Sequence, residues 1–348
     1  MEILNTTSRE RETYRVRIKY SLLWECALGI AAVTNSRLID TLKKPMDFWE
    51  ETRQSLSKEL LAELDHVEKN NTWKALLQLL HQQDFADLST FTVYIKNLSE
   101  QELRFICIPF IGSKHQETRK NAAEGNQKAV NELKEITKNN PFFPAYIEFV
   151  CKTNHKDLKN HLLAVMKGWY EEYVEPEADK LFKYLDKDYE TKMEMNEKMK
   201  PEEMVEWATG GITYLPEPNV HEVILIPQYI YRPWNIEADV EGAKVYYYPI
   251  ANESIHPDDP YSPNYFLVQK HKALGDEVRL RIVKLLSKHD RTLQEITNVM
   301  DMGKSTLHHH LKILRSARLV EVQNAKYHLK KNAVASLSKE LNQYLGGS

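Results

Sequence analysis

Between residues 14 and 199 the apolar positions recur at helical spacing. Leu56, Leu60, Leu61 and Leu64 mark one such face, and Leu76, Leu77, Leu79 and Leu80 after Trp73 mark another. Residues 158–185 predict one long helix, with Leu162, Val165, Met166 and Trp169 along its apolar side. Pro45, Pro109, Pro141 and Pro144 punctuate this region as starts or breaks. The most apolar early stretch, residues 22–33, contains Glu25 and is too short to span a bilayer, so it predicts a buried helix. Residues 183–200 are densely charged and predict a solvated helix or connector. After Gly210-Gly211 the pattern changes. Residues 220–226 and 244–250 are β-branched and aromatic and predict strands, giving a small sheet over about residues 210–252. Pro257, Pro260 and Pro263 then interrupt any helix or ladder. The boundary therefore falls there, between a domain of residues 1–262 and one of 263–345. The predicted fold is mainly α with a small β component.

The C-terminal pattern is the most specific. Residues 264–273 predict a first helix. Asp276, after Gly275, caps a second that runs through Ser287 with Leu280, Val283 and Leu286 on one face. Thr292 and Glu295 form a capping box opening a third helix to about Met300. Asp301-Met302-Gly303 makes a tight turn before a fourth helix from Lys304 or Ser305 to about Ala317, which is the helix-turn-helix pattern. At 100° per residue, Leu307, Leu311 and Leu314 share one face with His310 at its edge. Ser305, His308, His309 and Lys312 lie opposite, with Arg315 at the margin. Lys304, Ser305 and Thr306 start the helix. A helix with hydrogen-bonding and cationic groups at its N-terminal end suits a major groove. Residues 319–323 and 326–329, joined at Asn324-Ala325, predict a two-stranded wing whose Lys326, with Tyr327 beside it, would reach backbone phosphate. A final helix over 332–345 carries Val334, Leu337, Leu341 and Leu345 as an apolar stripe.

Charge sharpens this division. The chain of 348 residues has a net charge of -3, yet residues 265–348 hold 15 Lys+Arg against 7 Asp+Glu, leaving 32 against 43 in the remainder. A basic tail on an acidic body points to a polyanion partner. An apolar content of 42% is that of a soluble globular protein. The N-terminal residues do not resemble a secretory signal. Cys26, Cys107 and Cys151 are widely spaced with no CxxC pair, so neither a disulfide framework nor a zinc site is expected, and a reducing cytoplasm is.

The C-terminal residues resemble a known family. Ala273-Leu274-Gly275-Asp276, Arg279-Leu280-Arg281-Ile282, the run from Ser305 to Leu314 and Ala317-Arg318-Leu319-Val320 are similar, in order and spacing, to the ArsR-type winged-helix regulators. About a quarter of the chain is covered. The resemblance implies a homodimeric protein that binds double-stranded DNA and often represses transcription, with the first and last helices of the module forming the dimer contact. Many members sense metal through a cysteine-bearing pattern before the recognition helix. The matching residues here, 292–296, contain no Cys, so metal sensing by that route is not expected. The family module is usually the whole protein, whereas here roughly 260 residues precede it. These resemble the added domain of a large ArsR-like subgroup and are expected to receive the signal, a small molecule or a protein partner.

Other candidate sites carry less. Adjacent residues on a helix point about 100° apart, so His308, His309 and His310 cannot converge on one ion. His155 and His161 are expected to be solvated or capping. Gly112-Ser113-Lys114 lacks the glycine spacing of a phosphate loop. Glu171, Glu172, Glu175 and Glu177 read as a charged helix face. Tyr214, Tyr229, Tyr231, Trp234 and Tyr246 to Tyr248 read either as pocket lining or as strand core. No nucleophile elbow, zinc-protease motif or dinucleotide fingerprint occurs. No enzyme activity, cofactor, metal or membrane partner is expected, and the effector-binding residues are unknown. The rival reading is that the N-terminal domain is an enzyme or an interaction scaffold carrying a DNA-targeting module.

Overall fold

Residues 22–33 form a helix because Ser21 accepts the Leu23 N–H at its start and the segment holds no proline. Every residue from Leu23 to Val33 is buried, so this helix is the centre of a core rather than an amphipathic surface element. Gly29 permits the closest contact. A Cβ there would lie 2.5 Å from Trp169 Nε1, so only glycine lets the two helices approach this far.

The computed structural model describes residues 13–35, 38–259, 261–323 and 325–346. It divides into two compact units. One takes the chain up to Val205 together with Tyr214–Pro249; the other takes Glu206–Thr213 and the chain from Ile250 onward. The division thus falls before the proline-rich segment, because Asn252 Nδ2 donates to the Pro263 carbonyl and ties that segment to the C-terminal unit.

The first unit begins with β1 (Arg15–Ile18) and α1 (Leu22–Val33), then α2 (Met46–Ser55), α3 (Lys58–Asn70) and α4 (Trp73–Leu80). It continues through α5 (Leu88–Asn97), α6 (Glu100–Cys107), α7 (Gln116–Ala123), α8 (Gln127–Ile136) and α9 (Phe143–Lys152). Next come α10 (His155–Trp169), α11 (Ala178–Asn196) and α12 (Pro201–Thr209), the last straddling the division. Three strands close the unit: β2 (Glu222–Gln228), β3 (Ile236–Val240) and β4 (Ala243–Pro249). The sheet order is β1-β2-β4-β3, with β1, β2 and β4 parallel and β3 antiparallel.

Three expectations are corrected here. Residues 15–18, expected to be helical, are a strand pairing Val16 with Val223 and Ile18 with Leu225. The single helix expected over 158–185 is interrupted by a π turn at Tyr170–Val174 and a 3-10 turn at Glu175–Glu177. Pro176 lacks an N–H for the helical ladder, and the backbone changes its turn around it. His161 is neither solvated nor capping. It is buried between α3 and α4, with Nε2 2.7 Å from Thr72 Oγ1 and Nδ1 bonded to Glu63. Burial holds its imidazole below the ordinary histidine range, against the pull of Glu63.

The tyrosines of β4 resolve as core. Tyr246, Tyr247 and Tyr248 are fully buried. The Tyr247 hydroxyl pairs with His81 Nε2 at 2.7 Å and that of Tyr248 donates to Asp188 at 2.9 Å. The polar tips of Tyr247 and Tyr248 are thus satisfied, as burial requires.

The second unit contains α13 (Asn252–Ile255), α14 (Tyr265–Leu274), α15 (Glu277–Leu286), α16 (Leu293–Met300) and α17 (Lys304–Ser316). β5 (Val320–Gln323) and β6 (Lys326–Leu329) form an antiparallel pair, followed by α18 (Lys331–Ala335) and α19 (Leu337–Tyr344). Its core joins Ala273, Ile282, Leu286, Ile296, Leu307, Leu311 and Leu314. Leu280, expected on that face, is half exposed. Ile282 takes its place because it lies one turn before Leu286, where Leu280 does not. The helix expected over 332–345 is split at Ser336, whose hydroxyl bonds back to the Ala333 carbonyl and to Glu340.

Candidate nucleic-acid interface

The second unit fixes α17 by its ends and its buried stripe. Thr292 Oγ1 accepts the Glu295 N–H while Glu295 accepts the Thr292 N–H at 2.7 Å, so the expected capping box opens α16. These hydrogen bonds hold the Glu295 carboxyl below its ordinary range. Asp301 ends α16 in the left-handed region at φ 53°, which turns the chain within three residues into α17. Gly303 stands at the start of α17, where no side chain caps the helix. That end favours an anion.

Leu307, Leu311 and Leu314 are completely buried, so the orientation of α17 about its axis is determined. Lys304, Ser305, Thr306, His308, His309 and Arg315 are exposed, and Lys312 is half-buried. His310 packs at the edge of the buried face, with Nδ1 3.7 Å from the Asp276 carboxylate. Asp276 is itself held by the start of α15, where it accepts the Arg279 N–H at 2.9 Å. The structure therefore brings the cationic and imidazole groups predicted for this helix onto one exposed side.

The wing differs in part. Lys326 is exposed at the start of β6, beside Ala325 at φ 61°. Asn324, the other expected turn residue, lies outside the described residues. Tyr327, expected beside Lys326 at the wing surface, is instead 7% exposed and belongs to the core of the unit. Alternation along β6 turns it opposite to Lys326, toward the core of the unit. Its backbone bonds to Arg291, Tyr327 N–H to Arg291 O at 2.7 Å and Arg291 N–H to Tyr327 O at 3.2 Å. This bridge places Arg291 against the wing, and His328 beside it lies 2.9 Å from Asp290. Sequence reasoning missed both residues; a cation directly before the capping box was the available signal.

A helix-turn-helix followed by a two-stranded wing defines the class: a winged helix-turn-helix module. Residues 276–322 match the profile of a family described as bacterial regulatory protein, arsR family. A transcriptional repressor SmtB homolog of Synechocystis sp. is 34% identical over 77 residues, covering 21% of this chain and 58% of the relative. The C-terminal module is of the ArsR type. The chain thus spans somewhat over half the length of the curated relative it matches. No solved structure matches the chain. Among the described residues no helix is long and apolar enough to cross a membrane.

Proposed function

We propose that the protein is a cytoplasmic, sequence-specific double-stranded DNA-binding regulator of transcription, acting as a homodimeric repressor. The observation that carries this reading is the exposed side of α17. Three fully buried leucines lock the helix, and Lys304, Ser305, Thr306, His308, His309 and Arg315 stand free on its surface. Set in a major groove, the helix N-terminus, Lys304 and Lys312 meet phosphate, while the imidazoles and the hydroxyls face base edges. Lys326 adds a backbone contact from the wing. The ArsR-type match and the repressor named among its relatives support the same reading.

Dimerisation is assigned to α14 and α19, which are joined within the unit by the Lys270–Glu340 pair at 2.6 Å. Leu345, just beyond α19, is 70% exposed and continues the apolar stripe. The N-terminal unit is assigned a non-enzymatic role, receiving a small molecule or a protein partner. Occupancy would alter affinity for DNA by favouring one arrangement of the paired recognition helices.

Affinity for a duplex carrying the operator, measured by fluorescence anisotropy across a salt series, tests the assignment. Each phosphate contact contributes close to one unit to the salt slope. Replacing Lys312 and Lys326 together by Ala is expected to weaken binding to all duplexes and to flatten the slope by about one to two units. An unchanged slope in the double variant contradicts the interface, and a protein that ignores duplex DNA at low salt contradicts the function.

A further inference from the structure

The N-terminal unit contains a recess of about 230 Å³ at the carboxyl end of β1, where the chain turns into α1. In sheets with parallel strands this is the side on which ligands gather. About half of its lining surface is polar; Trp24, Leu80, Phe85 and Tyr189 are among the aromatic and aliphatic residues that line the rest. Among the described residues Lys19 is the one cation lining it and Asp84 the one anion. The Lys19 N–H donates to the Leu225 carbonyl at 3.0 Å, continuing the β1–β2 ladder and fixing the root of the side chain.

The two charged residues differ sharply in setting. Lys19 is 17% exposed and Asp84 is 78% exposed, yet Nζ and the carboxylate lie 2.6 Å apart. An ion pair with one partner so open to water contributes little, so exchanging Asp84 for another carboxylate costs little. Among the remaining polar lining residues Gln83 is exposed, while two others are engaged. Ser21 accepts the Leu23 N–H and the Tyr20 hydroxyl donates to Asp186. Behind Trp24, its ring 4.6 Å away, His81 is paired with Tyr247, and burial and then Lys19 and Arg17 push its imidazole down to about 3. His81 is therefore neutral and adds no second charge, and Arg17 is paired with Glu222 at 2.9 Å.

We propose that this recess binds a small monocarboxylic acid with an aromatic or branched apolar body, its carboxylate on Lys19 Nζ in the seat now taken by Asp84. Burying the apolar body against Trp24, Leu80 and Phe85 supplies what Asp84 lacks. A single cation selects a monoanion over a dianion, and the volume suits a ligand of modest size. The inference rests on the sensing role assigned to the N-terminal unit only for its biological use; binding itself is measured without DNA.

Calorimetric titration of the full chain with phenylacetate, phenylacetamide and phenethylamine tests it. The acid is expected to bind, and the neutral amide and the amine to bind at least about tenfold more weakly. Lys19→Met, which keeps the stem, is expected to weaken the acid by at least about tenfold. Asp84→Asn removes the internal competitor and is expected to tighten the acid by about threefold or more. Asp84 is exposed, so this second variant keeps its fold even if the first does not. Equal binding of acid and amide, an Asp84→Asn variant no tighter than the parent, or no heat from phenylacetate up to its solubility overturns the proposal. A bound acid that leaves affinity for duplex DNA unchanged keeps the site and removes the sensing role.

Discussion

At the scale of single residues, Glu25 is the group most at odds with its surroundings. It lies 2% exposed within α1, where Oε2 accepts the Tyr229 N–H at 2.9 Å and Oε1 has no hydrogen-bond partner among the described residues. Burial raises its pKa to about 7, although the Tyr229 and Ile230 amides, Arg232 and Lys44 pull the other way. In the unfolded chain the carboxyl loses its proton near 4.5, while in the folded chain it keeps it to about 7. Between those values the folded state binds the extra proton, so stability is present at the acid end and is lost as pH rises toward 7. Glu25→Gln, permanently neutral, is expected to flatten that slope and to be more stable than the parent at pH 8, by up to about 3 kcal/mol. Urea denaturation at a series of pH values checks this; parallel curves for parent and variant would show that the carboxylate ionises without cost. Neither Glu25 nor His161 announced its setting in the sequence, because a carboxylate in a helical pattern and a histidine near a helix start look alike whether solvated or enclosed. What decides is a partner far along the chain, Tyr229 for the first and Glu63 with Thr72 for the second.

At the scale of elements, the C-terminal unit was the most legible part of the molecule. Its helices are opened by local devices, Asp276 for α15 and Thr292 with Glu295 for α16, that need only neighbouring residues to be recognised. The exposed side of α17 followed from angular position alone once Leu307, Leu311 and Leu314 were placed inward. Tyr327 was misplaced because its pairing with Arg291 crosses 36 residues and reverses the expected role of the ring. In the N-terminal unit β1 went unseen for the same reason on a larger scale. Its four residues, half of them arginine, pair with a strand about two hundred positions later. β3, an edge strand with alternating exposure, was also passed over. The capping box provides a direct test. Thr292→Ala removes the acceptor for the Glu295 N–H and is expected to cost about 1 kcal/mol, lowering the melting temperature and weakening duplex binding as α16, against which α17 packs, loses its fixed start. A variant melting with the parent would show that tertiary packing alone fixes α16.

At the scale of the whole molecule, the chain enters the C-terminal unit twice. Residues 206–213 belong to it, the strands that follow return to the N-terminal unit, and the chain comes back after Pro249. The early segment is seated closely. Gly210, at φ 66°, faces Phe266 and Arg318, and a Cβ on it would fall 2.3 Å from the Arg318 guanidinium. That guanidinium lies 3.7 Å over the Phe266 ring. A protease nick within residues 257–263 would therefore not release a free tail. The larger fragment would keep residues 206–213 clasped in the smaller one, and the two should travel as one species through gel filtration until a denaturant parts them. Fragments that separate in plain buffer would show that this clasp is too weak to outlast the loss of the second connection.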